Sequence, residues 1–502
     1  MRYFSNFLVL IPFFVFSQEI PLSMQWYERT SLTYLLNKNV PFVHEGFFPL
    51  TYNDKSVDSI LIHDMLKIDY SYSSYIKNFE KHSFIQVKDN NFILHINPLV
   101  NFEFSNNEHH FSRNTRGIII SGQLDKQFRF VSGMIENQMF FESYINAYIS
   151  QNKVVPGQGR SKIFKKDGYD FSNAFGYLTY NFSPSFQLLL GHTRLFTGYG
   201  YRSVLLSDNT LDCPTLRFSF THKRIQYIAV YSVFQSASTF DDYTNVHTRK
   251  YSSVHYLNYF ILPSWEIGIF ENTLFQPMSL KHNGPAEEFF SPLLFSHYFI
   301  YGLRNRKNVM LGIQSQYSLL PQLKLYGQWA LDDYKHAGDT LSKNKTSWQA
   351  GVKLNEPFRI KNLYVLAEIN QATAGMYELS IEQSTFSNNN EPIAHPLGNH
   401  FFEQIFMARY SFKRVFFAIQ INNAHYEANE KRLNFYDTLT TTSFHNLPHI
   451  FQYKVEIGYW LHRPSRLQAV AGIHIRKQSS IPQTSYYYIA LRTSFSNFYD
   501  DF

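Results

Sequence analysis

From about residue 92 onward apolar and polar residues take turns along the chain, and helical spacing is hard to find. A period of two puts one apolar row and one hydrated row on the two faces of a strand. In the stretch 451–459 the apolar row is Phe451, Tyr453, Val455, Ile457 and Tyr459, set against Gln452, Lys454, Glu456 and Gly458. Val415, Phe417, Ile419 and Ile421 alternate with Phe416, Ala418 and Gln420, and Leu363, Val365, Ala367 and Ile369 with Tyr364, Glu368 and Asn370. Leu216, Phe218 and Phe220 oppose Arg217 and Ser219 in the same way. About eighteen such runs lie between 92–104 and 486–495, each near the ~9 to 11 residues that a tilted membrane strand needs.

The connections between these runs alternate in length. Short ones fall at Leu124–Asp125, Phe182–Ser183, His222–Lys223, 261–263, 319–321, 355–361, Phe412 and 460–466; long ones include 136–170, 192–214, 273–308, 371–401 and 423–449. Short turns at one end, long loops at the other and an even strand number predict an all-β fold: a transmembrane antiparallel outer-membrane β-barrel of about eighteen strands. A secreted sandwich or propeller would also show many strands. Neither has a reason to make every second connection long, or to place Trp265, Trp329 and Tyr459 on apolar faces near strand ends, where a membrane girdle of aromatic residues belongs. Because an unpaired backbone group costs several kcal/mol in hydrocarbon, the last strand must close on the first. That last strand carries Tyr487, Ile489 and Leu491 on one face, followed by Phe498, Tyr499 and a terminal Phe502. An aromatic ending suits recognition by the barrel-assembly machinery, although the alternation slips after Phe495.

The segment ahead of the barrel differs. Arg2, the apolar run Phe7–Phe16 and the small Ser17 read as a signal peptide over 1–17, cleaved after Ser17, so that the protein is exported to the cell outer membrane. Over 18–91 the strand pattern is missing, and Ile60, Leu61, Met65, Leu66, Ile68 and Tyr72 approach helical spacing. We expect a small, partly helical periplasmic or lumen-plug segment there, or else a disordered export linker, with the barrel itself spanning 92–502.

Composition narrows the chemistry. Of the 502 residues 18% are aromatic and 17% charged, too aromatic for a disordered chain. The single cysteine, Cys213, can build neither an internal disulfide nor a cysteine zinc site. No catalytic signature is present: His44–Glu45 begins a zincin-like pattern, but Phe48 stands where its second histidine would be. Gly157 and Gly159 read as turn residues. His395, His400 and Glu403 share a loop and its edge without the rigid spacing a metal site needs, and His109–His110 reads as a solvated pair. No enzymatic activity and no cofactor or metal is therefore expected.

The formal net charge of +7 points to anionic partners. Nucleic acid is not among them, because no recognition module appears and alternation sends most aromatic side chains toward lipid. Outer-membrane lipid, lipopolysaccharide phosphates and acidic surface polysaccharide fit better. The expected inward-facing charges, Arg129, Arg217, Glu266, Lys324, Glu368, Lys454, Glu456 and Arg492, carry both signs and can pair across the interior, which favours a plugged or narrow lumen over an open channel. In the long loop from His192 to Pro214, Arg194, Tyr199, Tyr201, Arg202, Asp208 and Asn209 supply guanidinium forks, stacking faces and hydrogen-bonding groups suited to a polysaccharide. The same groups could instead pack on each other as a lid.

The run Gly200-Tyr201-Arg202-Ser203-Val204-Leu205-Leu206-Ser207-Asp208-Asn209, after Leu190-Gly191-His192, resembles the corresponding stretch of Wzi-type capsule-assembly outer-membrane proteins, and more closely that of the gliding-motility RemB group of Bacteroidota. Thr115-Arg116-Gly117, Val155-Pro156-Gly157-Gln158-Gly159, the stretch Tyr326 to Asp332, His395-Pro396-Leu397-Gly398-Asn399 and the closing Tyr499-Asp500-Asp501-Phe502 extend the likeness over nearly the whole mature chain. The resemblance implies a barrel of about eighteen strands with a small N-terminal helical part, no catalytic residues, and a role in surface-polysaccharide (capsule or exopolysaccharide) assembly or attachment, or in gliding motility. The alternatives are a channel or transporter, or a scaffold component of a secretion machine.

Overall fold

The computed structural model of the chain describes residues 26–39, 42–50, 82–106, 112–125, 127–241, 246–276, 284–285, 287–303, 308–333, 344–378, 385–426, 447–479, 481–493 and 500–502. The signal peptide, its cleavage site, His109–His110 and the helix expected between Asp58 and Phe79 lie outside these residues.

Among the described residues, eighteen long antiparallel strands close into one barrel. In chain order they are β1 (Phe92–Asn106), β2 (Ser112–Leu124), β3 (Phe128–Met139), β4 (Gly168–Asn181), β5 (Phe186–Thr193), β6 (Cys213–His222), β7 (Ile225–Asp241), β8 (Val246–Leu262) and β9 (Trp265–Phe275). The second half comprises β10 (Asn308–Leu320), β11 (Leu323–Asp333), β12 (Lys345–Asn355), β13 (Leu363–Ala372), β14 (Phe401–Phe412), β15 (Val415–Tyr426), β16 (His449–His462), β17 (Leu467–Gln478) and β18 (Ile481–Arg492). Each pairs with the next, and β18 closes on β1 from Tyr487 opposite Asn106 to Arg492 opposite Asn101. Beyond Arg492 the line of β18 is continued by the short strand Ile85–Lys88, which pairs with Ile93–Ile96 of β1. The seam therefore leaves little free edge on β1. Three helices are described: α1 (Trp26–Asn39), α2 (Ser143–Asn152) and α3 (Ser296–Tyr301).

The alternation resolves into an inside-out protein. Phe104, Met134, Leu190, Phe218, Ile313, Val455 and Ile489 point outward and are exposed, whereas Thr115, Asn137, Gln314, Gln328, Gln349, Asn370 and Gln452 are buried in the lumen. Five lumen-side glycines of the wall make room for aromatic rings. Gly351 lies opposite Tyr326 and Gly458 opposite Phe416 in register, and a Cβ on either would meet the partner ring at 2.2 Å and 2.1 Å. The ring laid across the glycine fills the pleat and lets the wall curve.

Both ends of the lumen are filled by the chain itself. Helix α1 enters at the short-turn end, where Glu28 approaches Arg466 at 3.8 Å and the Tyr34 hydroxyl donates to Glu356. The following residues 43–50 are buried, and Phe47–Phe48 form a two-stranded sheet with Phe196–Thr197 of the loop after β5. That loop and the described residues 373–378 and 385–400, after β13, fold in from the other end and share a core of Leu205, Leu206, Met376, Tyr377, Phe386 and Ile393. The C-terminus differs from expectation. β18 spans 481–492 rather than 486–495, and Phe502 is not a strand residue; it packs on Tyr144 and Tyr148 of α2.

The outward row sets a test. Val455 sits at the middle of β16 and faces lipid, so Val455→Arg should destabilise the folded barrel by about 2–4 kcal/mol. Urea unfolding of the heat-modifiable band in lipid measures it, and the lumen-side neighbour change Gln452→Asn should cost less.

Candidate functional site in the lumen

The six residues singled out in the loop after β5 are brought together, but not on the surface. Arg194, Tyr199, Tyr201, Arg202, Asp208 and Asn209 are all buried. The loop turns inward because the barrel wall offers carboxylates and amides that its backbone and guanidinium groups can satisfy, and a buried segment must find such partners. Glu368 on β13 accepts the backbone N–H groups of Tyr201 (2.9 Å) and Arg202 (3.1 Å), and the Tyr326 hydroxyl donates to it at 2.8 Å. Gln328 accepts from Val204 N at 2.9 Å and donates to the Thr197 carbonyl at 2.8 Å. Gly200 has no room for a side chain, since a Cβ would stand 2.0 Å from the Glu368 carboxylate.

Arg202 is the centre of the arrangement and is fully buried. Its guanidinium lies 3.2 Å from Glu403 on β14 and 3.1 Å from Asp501 of the C-terminal tail, and it donates to the Asp501 carbonyl at 2.9 Å. The Tyr201 hydroxyl donates to the same Asp501 carboxylate at 2.8 Å. One arginine thus ties the inward loop, the wall and the tail together. Arg194 holds the loop to itself and its neighbour: it donates to the carbonyls of Asp208 and Gly157 and pairs with Asp212 at 3.3 Å. Asn209 donates to the Pro392 carbonyl at 2.6 Å, joining the two inward loops. Tyr199 lies under the Lys353 ammonium. These side chains are committed to internal partners rather than held as free forks on an outside loop.

The expected inward charges sit on the lumen side. Lys324 pairs with Glu45 of the N-terminal segment, and Lys353 approaches the same carboxylate at 3.8 Å. Burial alone would raise the Glu45 carboxyl; the two ammonium groups outweigh it and hold Glu45 well below the usual carboxylate range. Glu266 accepts from Asn258 and Gln316. Arg217 donates to the Pro49 carbonyl at 2.8 Å and to Gln187. Glu456 pairs with Arg492 at 2.8 Å and Lys454 at 3.7 Å, and Arg129 is buried. Lys324, Lys454, Glu456 and Arg492 thus meet opposite charges, while Glu266 and Glu368 accept from neutral donors. The aromatic residues expected at the girdle face outward: Trp265 and Tyr459 adjoin short turns, while Trp329 pairs with Trp348 in register toward the long-loop end.

Arg113 and Arg409, which sequence reasoning did not single out, complete the lock. Arg113 is surrounded by Glu103 (3.5 Å), Glu142 (3.2 Å) and Asp500 (3.1 Å). Burial would raise the Asp500 carboxyl, but Lys454 and Arg113 hold it well below its ordinary value. Arg409 is sandwiched 3.6 Å from the rings of Tyr27 and Phe416, which seats α1. His395 Nε2 meets Glu403 at 2.8 Å, so this histidine belongs to the Arg202 cluster. His44, ahead of Glu45, bonds the Lys223 carbonyl at a short turn, and burial pushes it down to about 4. Gly157 and Gly159 occupy left-handed turn positions, and the Gly157 N–H donates to Glu391. A carboxylate near the chain end, such as Asp500 or Asp501, gives no periodic signal; only the closed barrel brings it to an arginine.

Lipid-facing outside, paired charges inside and ends filled by the chain define a plugged barrel of the outer-membrane type. No protein-family model matches the chain, and no curated protein does. Solved structures do match. Wzi, an outer membrane protein involved in group 1 capsule assembly in Escherichia coli and a carbohydrate-binding β-barrel, superimposes over 94% of this chain and 98% of its own with a TM-score of 0.57 at 11% identity. The outer membrane protein OpdK of Pseudomonas aeruginosa matches over 82% of this chain and 99% of its own, with a TM-score of 0.44 at 8% identity. OccAB2 of Acinetobacter baumannii covers 81% of this chain and 98% of its own, at 0.43 and 12%. At such identities the likeness is one of fold.

Two outcomes follow from the lock. Arg202→Met should leave Glu403 and Asp501 buried without their cation, which costs about 3–5 kcal/mol; hydrogen exchange of the 500–502 peptide in the assembled barrel should accelerate accordingly. Asp500 and Glu45 have folded pKa values below their unfolded ones, so their contribution is complete above the unfolded value near ~4 and is lost as pH falls toward the folded values. The tail should stay protected at pH 7 and pH 5 and exchange freely only well below pH ~4.

Proposed function

We propose that the protein is a non-enzymatic outer-membrane barrel that holds or organises an acidic surface polysaccharide at its outer mouth. One observation carries this reading: the lumen is filled from both ends by the chain's own segments, tied at Arg202 to Glu403 and Asp501, an arrangement suited to a rigid platform rather than to diffusive passage. The fold likeness to Wzi along the chain supports it.

The platform has a candidate contact. After α2 the chain forms a short hairpin in which Lys162–Phe164 pairs with Gly168–Asp170, and its Arg160, Lys162, Lys165 and Lys166 are exposed at the long-loop end. Clustered cations with an adjoining ring, Phe164 under Lys165 at 5.3 Å, suit a polyanionic sugar chain. In this reading the loop carrying Arg194 and Arg202 backs the mouth mechanically and does not touch the polymer.

The experiment is deletion of the protein with capsule retention and surface spreading assayed together, beside planar-bilayer conductance of the purified barrel. Loss of polymer retention with small, blocked conductance is expected. Loss of spreading alone would instead assign a motility role like that of the RemB group, and large stepwise conductance would make the protein a channel. Reversing Lys162, Lys165 and Lys166 to Glu should weaken polymer binding roughly tenfold or more at low salt while the barrel still assembles.

A further inference from the structure

The long connection between β9 and β10 has a described stretch that stays outside the lumen. Its described residues 287–303 lie against the outer wall, where Phe289 packs on Tyr231, Tyr251 and Phe275. Beneath this flap the wall breaks its own rule. His255 of β8 and Glu271 of β9 are directly opposite in register, and His255 shares its face with the exposed Tyr259 two pairs away. A histidine and a carboxylate stand on the row that elsewhere meets lipid. Both are fully buried, as is His297 of α3, which the flap lays over them. Ionisable groups at such a position are costly and point to a function.

The hydrogen bonds set the tautomers. The Tyr227 hydroxyl donates to the Pro292 carbonyl at 2.5 Å, so at its 2.9 Å contact with His255 Nδ1 it accepts. His255 therefore carries its proton on Nδ1, and Nε2 is the lone-pair nitrogen, which accepts from the Ser253 hydroxyl at 3.2 Å, a bond that a metal ion would displace. His297 donates from Nε2 to the Glu288 carbonyl at 2.8 Å, which makes Nδ1 its lone-pair nitrogen. Each imidazole gives its far N–H to an oxygen that fixes the ring, the support that ligating histidines receive. The Glu271 carboxylate is oriented by the backbone N–H groups of Phe295 (2.6 Å) and Tyr298 (2.9 Å) and keeps further lone pairs. One ligand atom from each of His255, Glu271 and His297 lies within 4.8 Å of the others. Ligands around a tetrahedral zinc at ~2.0–2.2 Å stand roughly 3.3–3.5 Å apart, so a contraction of about 1 Å completes the set.

We propose that His255, Glu271 and His297 form a divalent-metal site of the zinc class that fastens the 287–303 flap to the outer wall of the barrel. Two neutral imidazoles and one carboxylate are the donor set zinc takes with a fourth, open position. The site joins two strands to a loop, and the ion acts as a staple. The flap's outward residues Phe290, Leu293, Phe299 and Ile300 are exposed and continue the lipid-facing belt, so the staple holds an apolar element against the membrane from outside the wall.

The test uses the full chain refolded into detergent with or without zinc chloride, assembly being checked by heat modifiability. The wild-type barrel should bind one zinc per chain, and cobalt in its place should show the intense visible bands of a tetrahedral site. Removing an outer-shell partner of a metal site costs 10–100-fold in affinity, so loss of the ligand in His297→Gln should cost about 100-fold or more and Tyr227→Phe about 10-fold. Zinc should slow hydrogen exchange over 287–303 in the wild-type chain and not in His297→Gln. Because His297 lies on the flap, its variant leaves the strands intact. Absence of stoichiometric binding by the assembled wild-type barrel, or equal binding by His297→Gln, would overturn the proposal.

Discussion

A backbone surrounded by hydrocarbon must satisfy every N–H and C=O within the protein, and the rest of this structure follows from that constraint. It forces the sheet to close, which brings β18 against β1 and makes a lumen. It also reverses the usual polarity: the apolar row of each strand turns outward and the polar row inward. A wall of eighteen strands encloses more space than wall side chains alone can fill, and here the chain itself enters the lumen.

Filling a polar lumen with protein creates a second problem, because each charge placed there loses water and must find a partner. The solution is pairing across segments distant in sequence. Arg202 meets Glu403 and Asp501, Glu45 meets Lys324, and Arg113 meets Glu103, Glu142 and Asp500. In each cluster one member belongs to the wall and another to an inserted segment. The plug and the wall are thereby one electrostatic unit. Cation–aromatic contacts do the same for α1, whose Tyr27 lies against Arg409, and for Arg29, which faces Phe48 and Phe196.

The outside of the wall shows the same logic in reverse. Glu271 and His255 occupy outward positions, and the fold answers by covering them with a loop whose own apolar groups then face outward. At this place the histidine and the carboxylate are thus withdrawn from the outer face of the wall. A likeness to Wzi in fold is compatible with all of this but does not dictate it, since the paired residues belong to this chain.

Much of the architecture was legible in the sequence because strand alternation is local: the side-chain period of two places Val455 and Ile489 outward and Gln452 inward without knowledge of any neighbour. The eight short connections fell where the alternation broke, and the inward signs of Lys324, Glu368 and Glu456 followed from the same counting. The loop from Arg194 to Asn209 was recognisable as rich in hydrogen-bonding chemistry, but its direction was not, because whether Arg202 meets solvent or Glu403 depends on a carboxylate 201 residues away. The fate of the C-terminal Asp500-Asp501-Phe502 was equally hidden, as was the meeting of His255 and Glu271 with His297. Alternation, turn spacing and composition determined a closed, lipid-facing barrel; only the closed structure decided what fills it and what covers it, since those contacts join segments that no local period relates.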